Sequence, residues 1–591
     1  MADSLEDTSR FLMQSTLGAD YDFLEHVANK GITIWLDEQI AHDSSFNIKS
    51  NADAIWSYFR TLLQNAHGEA NINGRGNNPA LPYKYYFRMA WWDRVLRKGR
   101  SLNSVPSIAE DGRNLVRHRI AQALSEILVV SENSILEQDS VGLASYYDIF
   151  YENAFGSYSD ILYKVSMHPC MGVYLTHMNN RKEVMSENIH PDENYAREIM
   201  QLFTIGLFEL NPDGSRKQGA NGDIPSYDNN DIKQLARVFT GIKASRYLYE
   251  WPSGLDLNIN NQPINLGDNV SKTFKRIPYV DMVNPMTIDG AFNDTGAKSL
   301  LKGHINIGAG VGGTTAIREV VDKLVSHPNT APFIAKKLIQ QLVTSNPSKA
   351  YVSAVANAFG TNGDMAATVR AILLHPEAAS PEKLKSPTLR VCQLLRAVKI
   401  NNTSDKLWLV GDQIKEQLAH HPLAAPTVFN FYKPDFSPHG DIENQGKVAP
   451  EFELHNAATS IAYVNLMYDW LLGDAYPAVS TRVNSDPSIL NVPELDYAKL
   501  AAFPLDKLKP DFSAELPLAL DANKHDELID RISLLLTGSK NITGRAKIKA
   551  AYSQFATDIN GTITNQTATW IVQTVYFMVA ISADFAVLGE K

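Results

Sequence analysis

His190-Pro191-Asp192-Glu193-Asn194-Tyr195-Ala196-Arg197-Glu198-Ile199-Met200-Gln201-Leu202-Phe203-Thr204 gathers acids, an arginine and a tyrosine at the start of an amphipathic segment. Tyr195, Ile199, Leu202 and Phe203 recur at the spacing of one helical face, whereas Glu193, Arg197 and Glu198 fall on another. Pro191 and Asp192 ahead of them form a start signal. The stretch reads as a helix over 194–208 whose charged edge lies at its beginning and whose apolar stripe faces a core.

The same period fills the rest of the chain. Segments at 20–42, 51–66, 83–98, 113–130, 143–167, 229–240, 314–326, 330–345, 348–359, 365–374, 386–399, 452–472, 526–536 and 565–588 all fit helices. Period-two patterns are scarce, with Ile277-Pro278-Tyr279-Val280 and Asn306-Ile307 giving at most short β pieces. The fold class is mainly α: a large multi-helix globular protein with long irregular insertions. Those insertions, at 210–230 and 250–313, are rich in Asn, Gly, Asp and Pro, and further irregular stretches run over 434–450 and 476–524. They suggest a helical half at 1–245, an insertion at 246–313 and a second helical half at 314–591, which can pack as one body.

Composition limits the function. Of 591 residues 44% are hydrophobic and 20% charged, which is globular rather than disordered. A formal net charge of −10 and the absence of a long basic run argue against nucleic-acid binding, because phosphate contacts need clustered Lys and Arg. Only Cys170 and Cys392 are present, so a disulfide framework is excluded, while one long-range bridge or two buried thiols stay open. No apolar run approaches the roughly 20 residues that span a bilayer. The N-terminus lacks a basic start followed by an apolar run, so no signal peptide is visible.

Several constellations could carry chemistry. Glu193 and Arg197 stand at i and i+4, as do Asn194 and Glu198, and either pair serves equally as a surface contact. The functional reading makes Glu193 or Glu198 a general acid or base, with Tyr195, Arg197, Arg117, His118 and Arg119 in support. The Arg117-His118-Arg119 charges have potential partners in Glu126, Asp192, Glu193 and Glu198, which would place a buried Arg–Glu network at the centre of the N-terminal half. His168, His177 and His190 with Asp192 are candidate metal ligands, although their spacing matches no standard motif. Histidine precedes proline at His168, His190, His327, His375 and His421, a pairing that marks loops and helix boundaries. Gly308-Ala309-Gly310-Val311-Gly312-Gly313 satisfies the dinucleotide glycine pattern but lacks its strand–helix–strand setting. No nucleotide cofactor is expected; Thr314 or Thr315 should instead cap the next helix. Aromatics cluster at Tyr83 to Trp92 and again at Phe429, Phe431, Tyr432 and Phe436, mostly as core, with a carbohydrate platform as the alternative.

The opening stretch also resembles the signature of a large bacterial family known as domain of unknown function 1800. The likeness continues through Arg10 to Gly18, Trp35 to Gln39, Ala90 to Trp92, Val116 to Ile127, His168 to Gly172, Ala236 to Gly241, His327 to Ala335 and Ala425 to Tyr432. It carries no settled chemistry or ligand role. It implies an exported protein, periplasmic or extracellular, because members usually carry an export signal just before the segment that here begins at Ser9. It also implies a possible exported partner, from a sulfatase-like family numbered 1501. Three readings follow: a helical protein that binds or assembles with an exported partner or a surface polymer, a carboxylate-dependent enzyme acting on a glycan or other polymer, and a metalloprotein.

Overall fold

The computed structural model describes residues 2–44, 47–67, 84–96, 108–245, 281–476, 507–558 and 560–588. Helices dominate, and local chemistry sets where they stop. The 20–42 segment divides into Tyr21–Lys30 and Ile32–Ala41 because Gly31, at φ 95°, takes a backbone conformation that ends the first helix. The 143–167 segment likewise splits into Ser140–Glu152 and Tyr158–Met167. The opening stretch is helical only over Asn194–Gln201. Its end is closed by the Ile205 and Gly206 amides, which both donate to the Met200 carbonyl, with Gly206 at φ 70°.

Strands are confined to two-stranded antiparallel pieces. Lys298–Leu300 pairs with Ile305–Ile307, and Lys383–Leu384 pairs with Val587–Leu588, which ties the end of the chain to its middle. Residues 277–280 lie outside the described residues. The glycine run after Ile307 leads into the Gly313–Val325 helix, but neither Thr314 nor Thr315 caps it. Gly312 occupies the cap, and the Gly313 amide donates instead to Asn293 Oδ1 at 2.9 Å. A distant asparagine thus satisfies a donor that the local threonines leave open.

The larger of two hydrophobic clusters among the described residues runs from Phe11 to Phe585, and a small second one gathers Val129, Phe431, Tyr432 and Leu454. The Ile108–Ser125 helix lies within the larger, packing on Ile32–Ala41, Ser140–Glu152 and Thr330–Leu342. The Pro387–Ala397 helix, buried along its whole length, packs on Tyr85–Leu96 and His525–Thr537. The closing helix, Asn565–Ala580, buries Ile571, Val572, Val575 and Val579 but leaves Trp570 exposed. Cys170 and Cys392 are free buried thiols. Among the described residues no helix is long and apolar enough to cross a membrane.

Candidate functional site

The signature helix and its surroundings are closed. Tyr195 is fully buried, stacks on His177 with ring centroids 4.0 Å apart, and shares a 2.6 Å hydrogen bond with Ser166 Oγ. His177 meets the Ser166 carbonyl through Nε2 at 2.9 Å, and burial pulls its pKa down to about 4, so the ring is neutral and donates there. Glu193 and Arg197 form a half-exposed i, i+4 pair at 3.5 Å. Glu198 is buried, which raises its pKa against the pull of Arg197, and its Oε2 lacks a hydrogen-bond partner.

The candidate metal ligands stay apart. His168 accepts the Cys170 amide at Nδ1, 3.2 Å, and meets Ser145 Oγ at Nε2, 3.0 Å; burial lowers its pKa to about 3. His190 is exposed beside Glu183, and Asp192 accepts from Thr176 Oγ1 and the Asn194 amide. Among the described residues no group of three His, Cys, Asp or Glu side chains gathers to hold a metal. The histidine–proline pairs mark boundaries instead: His168, His327 and His375 each accept the amide two residues on.

Arg117, His118 and Arg119 point in different directions, and the expected convergence with the 192–198 acids does not occur. Arg117 donates to the carbonyls of Tyr151, Glu152 and His42. The His118 ring packs on Tyr151 at 4.7 Å, and burial, with Arg94, Arg396 and Arg117, lowers its pKa well below the ordinary value. Arg119 alone enters a buried acid network. It donates to Gln122 Oε1 at 3.3 Å and to the Gln341 carbonyl at 2.5 Å, and its charge acts on the nearby Glu126.

That network is built from five separate segments. Glu126 follows the end of the Ile108–Ser125 helix, and Lys383 sits in the short Lys383–Leu384 strand. His420 follows the Asp412–Leu418 helix, Tyr432 follows a tight turn at Thr427–Asn430, and Glu451 lies in the Pro450–Glu453 turn of 3-10 helix. Tyr432 donates its hydroxyl to Glu126 Oε2 at 3.2 Å, and Gln122 Nε2 donates to Glu126 Oε1 at 3.2 Å. Lys383 pairs with Glu451 Oε1 and donates to the Gln340 carbonyl at 2.7 Å.

The proton positions follow from these partners. The Thr388 hydroxyl donates to the His420 carbonyl at 3.1 Å, so its oxygen accepts from His420 Nδ1 at 2.6 Å. His420 Nε2 is then the bare nitrogen, and it faces Glu126 Oε1 at 3.6 Å. Burial lowers the His420 pKa to about 3, helped by His421, Lys383 and Arg119, so the ring stays neutral. Burial raises the Glu126 pKa, and the Glu451 charge adds to the rise, while Arg119, Lys383 and the Tyr432 bond oppose it. A carboxyl that favours its proton therefore stands next to a neutral base.

The network opens on a cleft. Glu126, Glu451 and Tyr432 line a cavity of about 510 Å³ whose other walls include Phe208, Phe333 and the exposed Phe429. Glu451 is only 2% exposed, yet its Oε2 has no hydrogen-bond partner. A buried carboxylate oxygen without a donor costs roughly 1–3 kcal/mol, a cost that a ligand hydroxyl in the cleft would remove. Asn430, on the cleft wall, holds a left-handed φ of 70°, and its Oδ1 is likewise buried without a partner.

Sequence reasoning found half of this cluster. Arg119, Glu126 and Tyr432 lie in family segments, whereas Lys383, His420 and Glu451 are isolated residues without motif or spacing to mark them. The neighbouring His421-Pro422 pair was the nearest signal.

A helical body with a buried acid–base cluster opening on a cleft is the class of protein defined by this geometry. The chain belongs to the family described as protein of unknown function (DUF1800), whose model matches residues 10–586. No curated protein matches the chain. No solved structure matches it either.

Proposed function

We propose that this is an exported protein whose cleft takes a glycan or related surface polymer and acts on it by carboxylate-dependent acid–base chemistry. The observation that carries the reading is the pair of buried carboxyls, Glu126 and Glu451, that line one open cleft, with Glu451 Oε2 unpartnered. Glu126, favouring its proton, serves as the acid that protonates a leaving oxygen, and regains a proton from solvent through the open cleft as Glu451 releases the one it took from the attacking group. Glu451, paired with Lys383, serves as the base toward an attacking hydroxyl or water. Phe429 and Phe333 offer apolar faces on which sugar rings stack. The exported address rests on the family resemblance.

The test is release of reducing ends from a panel of polysaccharides. Wild-type protein is expected to cleave at least one, and Glu126→Gln to lower that rate by roughly two to four orders of magnitude. A wild-type protein inert across the panel, or a fully active Glu126→Gln variant, would sink the reading.

A partner-protein role is supported by a different surface. Ile461, Val464 and Tyr468 follow one another at spacings of three and four along the Ala457–Leu471 helix, and are 64%, 38% and 55% exposed. Such a row is an interaction surface in many proteins. A photocrosslinker at position 468 that captures no exported sulfatase-like partner would remove this role.

A further inference from the structure

Another wall of the same cleft carries cations. Phe333, Lys336, Lys337, Gln340 and Gln341 recur at helical spacing along Thr330–Leu342, so one face of that helix lines the cleft. Lys336 and Lys337 have no carboxylate oxygen within 4 Å among the described residues. The Lys337 ammonium lies 4.9 Å from the centre of the Phe333 ring, and burial pulls its pKa down to about 8, with Asp435 opposing. Burial also lowers the Lys336 pKa, and Arg216 pushes it the same way. Inside, the charge of Lys383 is offset by its ion pair with Glu451. At the mouth Arg216 is already paired with Asp223 at 2.7 Å, which leaves Lys336, Lys337 and Lys433 facing Asp435. A locally positive mouth on a chain of net charge −10 is not a by-product of composition.

We propose that the cleft selects an acidic glycan. A carboxylate or sulfate substituent on one sugar docks against Lys336 and Lys337 while the adjoining linkage reaches Glu126 and Glu451. The selection rests on the acid–base reading above for its chemistry, but its binding step is separate. Ammonium groups at a cleft mouth without a carboxylate in salt-bridge contact gain from an anionic ligand.

Affinity electrophoresis tests it, with polygalacturonate, dextran sulfate or neutral dextran cast in the gel. Wild-type protein is expected to be retarded by one or both polyanions and not by dextran, and the pattern tells carboxylate from sulfate. Lys336→Gln/Lys337→Gln should weaken that retardation about tenfold, while Arg318→Gln/Lys323→Gln, with the same charge change on another surface, should leave it intact. Equal retardation by dextran, no retardation by either polyanion, or an unchanged cleft variant overturns the proposal. Lysine-dependent retardation alongside a fully active Glu126→Gln protein would end the acid–base reading and leave the charge selection standing.

Discussion

Two regions of this protein bury titratable side chains, and they differ in whether those side chains reach a cleft. Around Tyr195, the tyrosine hydroxyl meets Ser166 Oγ, the His177 Nε2–H meets a carbonyl, and the two rings stack with Phe239 at their edge. His177 Nδ1 and Glu198 Oε2 also lack a hydrogen-bond partner there, but neither residue lines the cleft. Around Glu126, the polar groups are as deeply buried, and a carboxylate oxygen, a histidine nitrogen and the Arg119 Nε likewise have no hydrogen-bond partner, but here the cluster opens on a cleft. Density of motif residues in a sequence therefore does not locate a site. Incomplete satisfaction of buried polar atoms beside accessible space is the more direct sign.

The contrast can be broken from either side. The largest expected effect is on stability, from Tyr195→Ala: the ring is fully buried among His177 and Phe239, so its removal should cost about 3–5 kcal/mol in chemical denaturation. A loss below about 1 kcal/mol would show that this region is not the closed core described.

A smaller effect concerns acid. His177 has a folded pKa of about 4, below the 6.5 of an unfolded chain, so above pH 6.5 both states are neutral and stability is unaffected. As pH falls from 6.5 toward 4 the unfolded state takes the proton first, and the fold loses on the order of 3 kcal/mol. Asp139 and Asp148, raised by burial to about 6 and about 7, act oppositely: they hold protons that the unfolded chain loses above pH 3.8, so they favour the fold as pH falls. The test is therefore a difference. His177→Gln, whose amide can still donate to the Ser166 carbonyl, should show a shallower loss between pH 6.5 and 4 than wild type. Identical acid profiles would mean that His177 is not held neutral.

The smallest stability change belongs to the cleft. Glu126→Gln keeps an oxygen for the Tyr432 hydroxyl and removes a carboxyl whose ionised form is disfavoured by burial. Its denaturation midpoint should stay within about 1 kcal/mol of wild type while turnover falls. A collapse in stability instead would place Glu126 with Tyr195 as a structural group.

Much of the architecture was legible because helices declare themselves through local period. Segments such as 229–240, 330–345 and 365–374 appear as Asn229–Val238, Thr330–Leu342 and Met365–Leu373. Boundaries were less legible where backbone closure decided them, as at Gly206 and Gly31. Short helices such as Asp412–Leu418 and Leu516–Leu520 went unread because they present too few turns for a period to show.

The sequence by itself determined the helical class, the family, the acidic charge balance and the lack of a disulfide framework, all of which depend on residue type and near-neighbour spacing. It also offered Glu126 as a potential partner of the Arg117-His118-Arg119 charges, but did not place Tyr432 beside it. Only the tertiary structure decided that Glu126 faces His420 and Glu451, that Arg117 and Arg119 part company, and that His168, His177 and His190 each find separate partners. The physical reason is that a buried charge acquires its role from the few ångströms around it. Those neighbours come from segments hundreds of residues apart, brought together by the burial of apolar faces rather than by anything written beside the charge itself.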